Sequence, residues 1–186
     1  MPRTRGASAG GGVSPYYVRD LSTFTTVSGD GAVAKTANRV HYTPVQVPHQ
    51  LTADGIIVVH GAVAAGNLYV ALYDSLNYAP NNRLAVSASV AASGTNRRQY
   101  VPFTIAVQIA AGLYFTGLEP DDSLDTYLDA FDGTSAEALP AGINNGLNTY
   151  YEDLGGYLVP PLVATPIQTT LYTQTAGMFV RVSSIP

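Results

Sequence analysis

The chain has 186 residues, of which 46% are hydrophobic and only 12% are charged, with a formal net charge of −4. That length suits one domain that buries roughly 70% of the surface of its unfolded chain. The acidic balance argues against a dedicated nucleic-acid binder. Because the sequence contains no cysteine, a disulfide scaffold, a thiol nucleophile and a Cys-ligated metal are excluded. A surface with so few charges predicts that partners cover part of it.

The charges are distributed unevenly along the sequence. Nine of the thirteen acids fall between Glu119 and Asp153. Five of the nine basic residues lie in the first forty positions: Arg3, Arg5, Arg19, Lys35 and Arg39. Such a division would suit head-to-tail or layered contact with another subunit, and it would equally suit two ordinary solvated surfaces.

No stretch approaches the ~20 consecutive apolar residues of a membrane-spanning helix, so no membrane partner is expected. The N-terminus carries charge, but no apolar segment follows it as in a signal peptide. The sequence therefore predicts that the protein is made in the cytoplasm. Residues 1–15 are rich in Gly, Ala and Ser and are expected to form an extended N-terminal arm, disordered in isolation, that docks on a neighbouring subunit or another protein.

Residues 16–186 are predicted to form a single β-domain. Tyr16–Val27 is rich in β-branched and aromatic residues and predicts a strand. Asn38–Val47 alternates, and its prolines, Pro44 and Pro48, predict a strand that lies at a sheet edge or ends early. Asp54-Gly55 is expected to open a strand from Ile56 that is buried on both faces.

The stretch Asn67–Leu118 organises the rest of the chain. It contains four short apolar segments with an alternation of about two, separated by Asn, Gly, Pro and Ser. Such a pattern is typical of antiparallel strands joined by short loops. We therefore expect this stretch to form one half of a β-sandwich.

The segments after Leu118 are less regular. Leu124, Leu128 and Phe131 have helical spacing, whereas Thr126–Phe131 also alternates weakly as a strand, so both interpretations stay open. Residues 138–156 predict a long loop with a brief strand near Tyr150, and residues 168–182 a final strand broken or bent at Ala176-Gly177. Eight to ten strands and no long helix predict an all-β, antiparallel β-sandwich. A jelly-roll-like topology is preferred, although the pattern does not separate it from an immunoglobulin-like sandwich.

No residue pattern indicates catalysis, so neither an enzyme nor a cofactor is predicted. His41, His49 and His60 lack metal-binding spacing and are interpreted as structural. Serine lacks the GxSxG context of a hydrolase nucleophile. Six acids could bind calcium or supply a glycosidase pair, although a solvated acidic loop explains them better: Glu119, Asp121, Asp122, Asp125, Asp129 and Asp132.

Thirteen tyrosines and no tryptophan suggest contacts with proteins or sugars. Tyrosines that cap the sheet edges are an equally good interpretation. The predicted partner-binding residues are two arginines of the arm, two tyrosines that follow it and four tyrosines in predicted loops: Arg3, Arg5, Tyr16, Tyr17, Tyr78, Tyr150, Tyr151 and Tyr157.

The central stretch resembles a domain that recurs in bacteriophage virion proteins. The matching residues are Leu72-Tyr73-Asp74 at the end of a strand, Pro80 in the following loop, Leu84, and Ala111-Gly112-Leu113-Tyr114-Phe115 at the entry to a later strand. The lead-in Asn38-Arg39-Val40 with Pro44, Val45 and Pro48, followed by Ile56-Ile57-Val58, resembles the entry strands of that family. The resemblance covers roughly residues 38–118 and carries over no catalytic residue.

The resemblance implies a non-enzymatic virion structural protein with a jelly-roll body. Among such proteins, a capsid decoration or cement protein is the preferred expectation, with the basic arm (Arg3 and Arg5) pairing with an acidic capsid. The implied partners are other virion proteins, namely the major capsid protein or tail and neck components, and further copies of the chain, with a trimer favoured by family analogy. A tail-appendage or receptor-binding tip is the alternative, followed by a carbohydrate-binding module that binds a host-surface glycan.

Overall fold

The computed structural model describes residues 37–77, 79–124 and 178–184, together with the backbone of five short strands at 16–19, 32–34, 126–128, 150–152 and 170–172. This part of the chain contains strands and turns and no helix. The strands are β1 (Tyr16–Arg19), β2 (Ala32–Ala34), β3 (His41–Val47), β4 (Leu51–Val59), β5 (Asn67–Leu76), β6 (Ala79–Val86), β7 (Val90–Ala91), β8 (Arg98–Ile109), β9 (Gly112–Pro120), β10 (Thr126–Leu128), β11 (Tyr150–Glu152), β12 (Thr170–Tyr172) and β13 (Met178–Ser184).

Two antiparallel sheets form a sandwich. One has four strands in the order β1-β13-β4-β8, and the other has seven in the order β12-β11-β3-β9-β5-β6, with β7 paired to β5. A separate pair joins β10 to β2. The main strands are nested: β1 pairs with β13, β3 with β9, β4 with β8, and β5 with β6. This nested set of pairs, divided between the two sheets, is the arrangement expected of a jelly-roll-like sandwich. The predicted fold class is confirmed.

The main hydrophobic core lies between the two sheets. Alternate residues of β5 point into it, as the period-two pattern of the sequence requires. Leu68, Val70 and Leu72 on β5 are fully buried there, facing Ile56 and Val58 of the opposite sheet. Both sheets therefore depend on one shared apolar layer.

A second apolar cluster lies on the outer face of the seven-stranded sheet. Tyr42 and Tyr73 meet edge to face, with their ring centroids 5.2 Å apart and an interplanar angle of 81°. Phe115, opposite Tyr73 on β9, completes the cluster with an exposed fraction of 1%. Gly117 lies beneath the two tyrosines, and a Cβ there would come within 2.9 Å of Tyr73 Cε2. The absence of a side chain at Gly117 is what allows the rings to pack on the strand.

The expectation that Asn67–Leu118 forms one half of the sandwich is wrong. β5, β6, β7 and β9 belong to the seven-stranded sheet, but β8 belongs to the four-stranded one. The chain crosses between sheets after β6, where Ser87 forms an isolated bridge with Phe103 of β8. Alternation marks a strand and its buried face, but it carries no information on which sheet the strand joins.

The Asp54-Gly55 pair does not open a strand, because β4 already begins at Leu51 and runs through it. The register against β8 shifts between Ala53 and Gly55, which marks a bulge. A Cβ on Gly55 would lie 2.6 Å from Tyr100 Cε2. Glycine is therefore needed at this position for close packing inside a strand, and the burial of Ile56 to Val59 agrees with the sequence.

The proline-containing strand β3 is not an edge strand, because it lies between β11 and β9. Its pairing with β11 involves only His41 and Tyr42 in the described ranges, so Pro44 lies beyond that ladder. The strand ends at Val47, immediately before Pro48, as expected.

The remaining segments after Leu118 agree with a strand interpretation. Residues 126–128 form β10 rather than a helical turn, and residues 150–152 form the brief strand expected near Tyr150. Residues 170–172 and 178–184 form two strands, β12 and β13, in different sheets, and the break predicted at Ala176-Gly177 lies outside the described residues. The arm, residues 1–15, and the end of the first predicted strand, residues 20–27, lie outside the described residues.

Replacing Gly117 with alanine should destabilise the fold. The new methyl group would meet Tyr73 Cε2 at 2.9 Å and Val40 Cγ1 at 3.2 Å, and both side chains are fully buried. Overpacking of this kind typically costs about 1–3 kcal/mol, which urea unfolding would measure. Gly112→Ala is the matched control on the same strand, because its Cβ would meet only Tyr114 at 3.5 Å or more. Equal losses from both substitutions would contradict this account.

Candidate functional site

The predicted partner-binding residues do not form one described site. Arg3, Arg5, Tyr78 and Tyr157 lie outside the described residues. The backbone of Tyr16 and Tyr17 belongs to β1, where these residues are paired with Val182 and Arg181.

Tyr150 and Tyr151 lie in a strand rather than a loop. β11 pairs with β12 on one side and with β3 on the other. Since β1 lies close to β3, the two tyrosine pairs are brought to the same lateral side of the sandwich, in two different sheets.

His60 is fully buried at the end of β4 and has a structural hydrogen bond. Its Nε2 lies 2.6 Å from Oε1 of Gln99, which also accepts a bond from the Ser93 amide at 3.0 Å. The Gln99 amide nitrogen donates to Ala91 O at 2.8 Å. Because the Gln99 oxygen can only accept, His60 Nε2 must be the donor. This network attaches the loop after β7 to the end of the four-stranded sheet.

The described members of the acidic group are used within the fold. Asp121 accepts bonds from the backbone and side-chain nitrogens of Asn67 at 2.5 and 2.8 Å. This arrangement requires Gly66, which has a φ of +69° and would place a Cβ against the Asp121 carboxylate. Asp122 accepts a bond from the Leu124 amide at 2.7 Å, and Glu119 is buried, with 3% exposure. Asp121 therefore fastens the end of β9 to the start of β5.

The residues that carry the phage resemblance lie in or beside the β5–β6 hairpin, which is the innermost of the nested strand pairs. Leu72 lies in the main core and Tyr73 in the outer cluster. Asp74 accepts a bond from the Asn82 amide at 2.6 Å across the β5–β6 turn. Tyr114 lies opposite Asp74 on β9, and its hydroxyl donates to Ala110 O at 3.2 Å. The residues of the motif therefore have structural roles, in packing and in hydrogen bonds within the fold.

The outer face of the four-stranded sheet carries a group of arginines stacked on aromatic rings. The Arg181 guanidinium lies 4.2 Å from the centroid of the Tyr100 ring and 3.4 Å from the Asp54 carboxylate. Tyr100 is 36% exposed, and its hydroxyl donates to Asp54 O at 3.1 Å. On the same sheet, Arg98 stacks over Phe179 at 5.5 Å. Stacking on a ring fixes the direction of each guanidinium at the surface.

We call this group of Asp54, Arg98, Tyr100, Phe179 and Arg181 the arginine–aromatic face. It is the best-defined candidate interaction surface among the described residues. Sequence reasoning missed it, because its members come from three strands that are distant in sequence. The only available signal was the pair of adjacent arginines, Arg97 and Arg98, at the start of an aromatic-containing strand.

Within the described ranges, no group of three or more His, Asp or Glu residues could hold a metal ion. In the same ranges, no helix is long and apolar enough to cross a membrane. Comparison with protein-family models finds no match, and comparison with curated proteins finds no relative of this sequence.

Replacing Gln99 with leucine should destabilise the protein by about 1–3 kcal/mol, because it leaves the buried donor of His60 without its acceptor. Denaturant unfolding would show the loss. Gln108→Leu is the control, since Gln108 is an exposed glutamine on the same strand and its replacement should stay within about 0.5 kcal/mol. An unchanged unfolding free energy for Gln99→Leu would rule out a structural role for the network.

The stability of the protein should fall as the pH rises above 10. Burial, and then the nearby Asp54 carboxylate, raise the pKa of Tyr100 above its ordinary value of 10.0. Burial likewise raises the pKa of Tyr114. A raised folded-state pKa means that the stabilisation is present below pH 10 and is lost as pH rises through the folded pKa.

Tyr100→Phe should therefore be less stable than the wild type near neutral pH, because it loses the bond to Asp54 O, but its stability should decline less steeply above pH 10. Urea unfolding at a series of alkaline pH values would measure both effects. The difference in tyrosinate absorbance between wild type and variant gives the titration of Tyr100 itself. A midpoint at or below 10.0 would contradict the assignment.

Proposed function

We propose that this chain is a non-enzymatic structural protein of a bacteriophage particle, and that it binds the capsid as a decoration or cement protein. The observation that carries the proposal is the resemblance of residues 38–118 to a domain of phage virion proteins. The motif residues Leu72, Tyr73, Asp74, Tyr114 and Phe115 make mutually supporting contacts within a jelly roll.

The composition supports a role in assembly. Only 12% of the residues are charged, and a surface with few charges loses little free energy of hydration when a neighbouring subunit covers it. The described carboxylates Asp74, Asp121 and Asp122 accept hydrogen bonds from their own chain. These groups therefore have a structural use that requires no substrate.

In the proposed arrangement, the body lies on the shell and the arm, residues 1–15, adds a second attachment. Arg3 and Arg5 would pair with acidic groups of the major capsid protein. Two attachments through one short chain raise the effective concentration of each, so the pair binds more tightly than either alone. Self-association of the body into a closed oligomer would multiply the number of arms on the shell.

The same resemblance extends to the tips of tail appendages, which contact host surfaces. Location in the particle distinguishes the two roles. Chemical cross-linking and mass spectrometry of particles from cells that produce the protein should give cross-links to the major capsid protein, at a copy number comparable to that of capsomers. Cross-links confined to tail or neck proteins would favour the appendage role, and absence from the particles would exclude both.

Deleting residues 1–15 should reduce occupancy on purified particles by about ten-fold or more, because one of two linked attachments is lost. Binding of the purified protein to particles that lack it, followed by co-sedimentation, would measure this. The double substitution Arg3→Gln/Arg5→Gln tests the charges alone, and Thr4→Gln is its control at a neighbouring position. Unchanged occupancy with the deleted chain would count against attachment through the arm.

A glycan-binding role makes a different prediction. If the tyrosines of β11 formed a sugar platform, Tyr150→Ala would abolish binding on a glycan array and leave particle incorporation unchanged. Under the capsid-decoration proposal, the wild-type protein shows no specific glycan signal.

A further inference from the structure

The four-stranded sheet is basic in a chain that is acidic as a whole. The formal net charge of the chain is −4. The strands of this sheet nevertheless contain three arginines and one carboxylate, namely Arg19, Arg98, Arg181 and Asp54. A local excess of positive charge attracts an anionic partner over the Debye length of about 8–10 Å.

Two of these arginines reach across the central strand β4 in opposite directions. Arg98 belongs to β8, but its guanidinium lies over the ring of Phe179 in β13, beyond β4, at 5.5 Å. Arg181 belongs to β13, and its guanidinium lies over the ring of Tyr100 in β8 at 4.2 Å. In the register, both rings flank Ile57 of β4. The sheet therefore holds both guanidinium groups at fixed places on its outer face.

The two guanidinium groups differ in their carboxylate partners. Arg181 lies 3.4 Å from the Asp54 carboxylate. Arg98 makes the same kind of ring contact and is exposed, yet no carboxylate of the described residues pairs with it. A guanidinium binds a carboxylate through two parallel hydrogen bonds. Arg98 is therefore a positioned donor group on which a carboxylate from outside the chain can bind.

The surface around Arg98 is apolar and closely packed. Ile57, Val59 and Phe179 form a cluster on this face and are each 8% exposed, and Tyr100 beside them is 36% exposed. A partner that covers the cluster also removes water from a carboxylate on Arg98, which strengthens the ion pair. Arginine and tyrosine are enriched among the residues that dominate protein–protein contacts.

We infer that the arginine–aromatic face binds a partner protein, which places a carboxylate on Arg98 and an apolar or aromatic side chain over the cluster next to it. A small molecule fits less well, because such ligands bind in concave pockets and this surface is the face of a sheet. Duplex DNA also fits less well, because a typical site takes about 6–10 phosphate contacts. The rings already hold the guanidinium groups, so binding costs little rotamer entropy.

This surface belongs to the body and is separate from the attachment proposed for residues 1–15. The test uses the purified full-length chain and an end-labelled copolymer of glutamate and tyrosine, with fluorescence anisotropy at ~150 mM salt. The wild type should bind the copolymer more tightly than poly-glutamate of the same length, because poly-glutamate supplies charge alone. A wild type that fails to bind the copolymer would overturn the inference. So would tighter binding to poly-glutamate or to duplex DNA.

Substitutions at two adjacent arginines locate the contact. Arg98→Gln should weaken copolymer binding about ten-fold or more. Arg98→Lys keeps the charge but loses the planar fork of donors, and should have an intermediate effect. Arg97→Gln is the matched control, because it removes the same charge from an exposed arginine for which no ring contact is found among the described residues; its effect should stay within about three-fold.

Residues 1–15 are the same in every variant, so any attraction of that arm for the acidic polymer cancels in the comparison. Circular dichroism verifies the fold. If Arg98→Gln does not fold, Arg98→Lys is compared with Arg97→Lys instead. Equal losses at the two positions would show attraction by charge alone and would contradict the inference.

Discussion

The contact between Tyr42 and Tyr73 above Gly117 is the constraint on which the seven-stranded sheet depends. An antiparallel sheet usually packs one face on the core and leaves the other to water. Here the described centre of the sheet is buried on both faces, because the outer cluster of Val40, Tyr42, Tyr73 and Phe115 excludes solvent as fully as the main core does. β3, β5 and β9 each contribute to it. The three strands are therefore held in register by side chains on two faces as well as by backbone hydrogen bonds.

Much of this fold could be predicted from alternation and turn residues. The four apolar segments of the central stretch are all strands. The sequence could not predict which sheet each strand joins, because a period of two is the same in either sheet. The expectation that β8 lies in the same half of the sandwich as β5, β6 and β9 is wrong for that reason. The expectation that Asp54-Gly55 opens a strand is wrong, because a local turn signal cannot show that the Tyr100 ring needs the space above Gly55.

The interaction surfaces were harder to predict than the fold. Asp54, Tyr100 and Arg181 meet only because β8, β4 and β13 are neighbours, which is a property of the nesting rather than of any local pattern. The bond between His60 and Gln99 likewise joins residues 39 positions apart. By contrast, the segregation of charge was visible in the sequence from the start.

The pairing of the first strand with the last also determines how the protein responds to mechanical force. β1 runs antiparallel to β13, so that Tyr16 lies opposite Val182 and Arg19 lies opposite Phe179. The chain therefore enters and leaves the sandwich at the same end of one ladder. Tension between the two termini would open that ladder one pair at a time, like a zipper, rather than shear all of its hydrogen bonds at once. β1 can then peel away under a pull on the arm while β13 remains paired with β4 and the core stays closed.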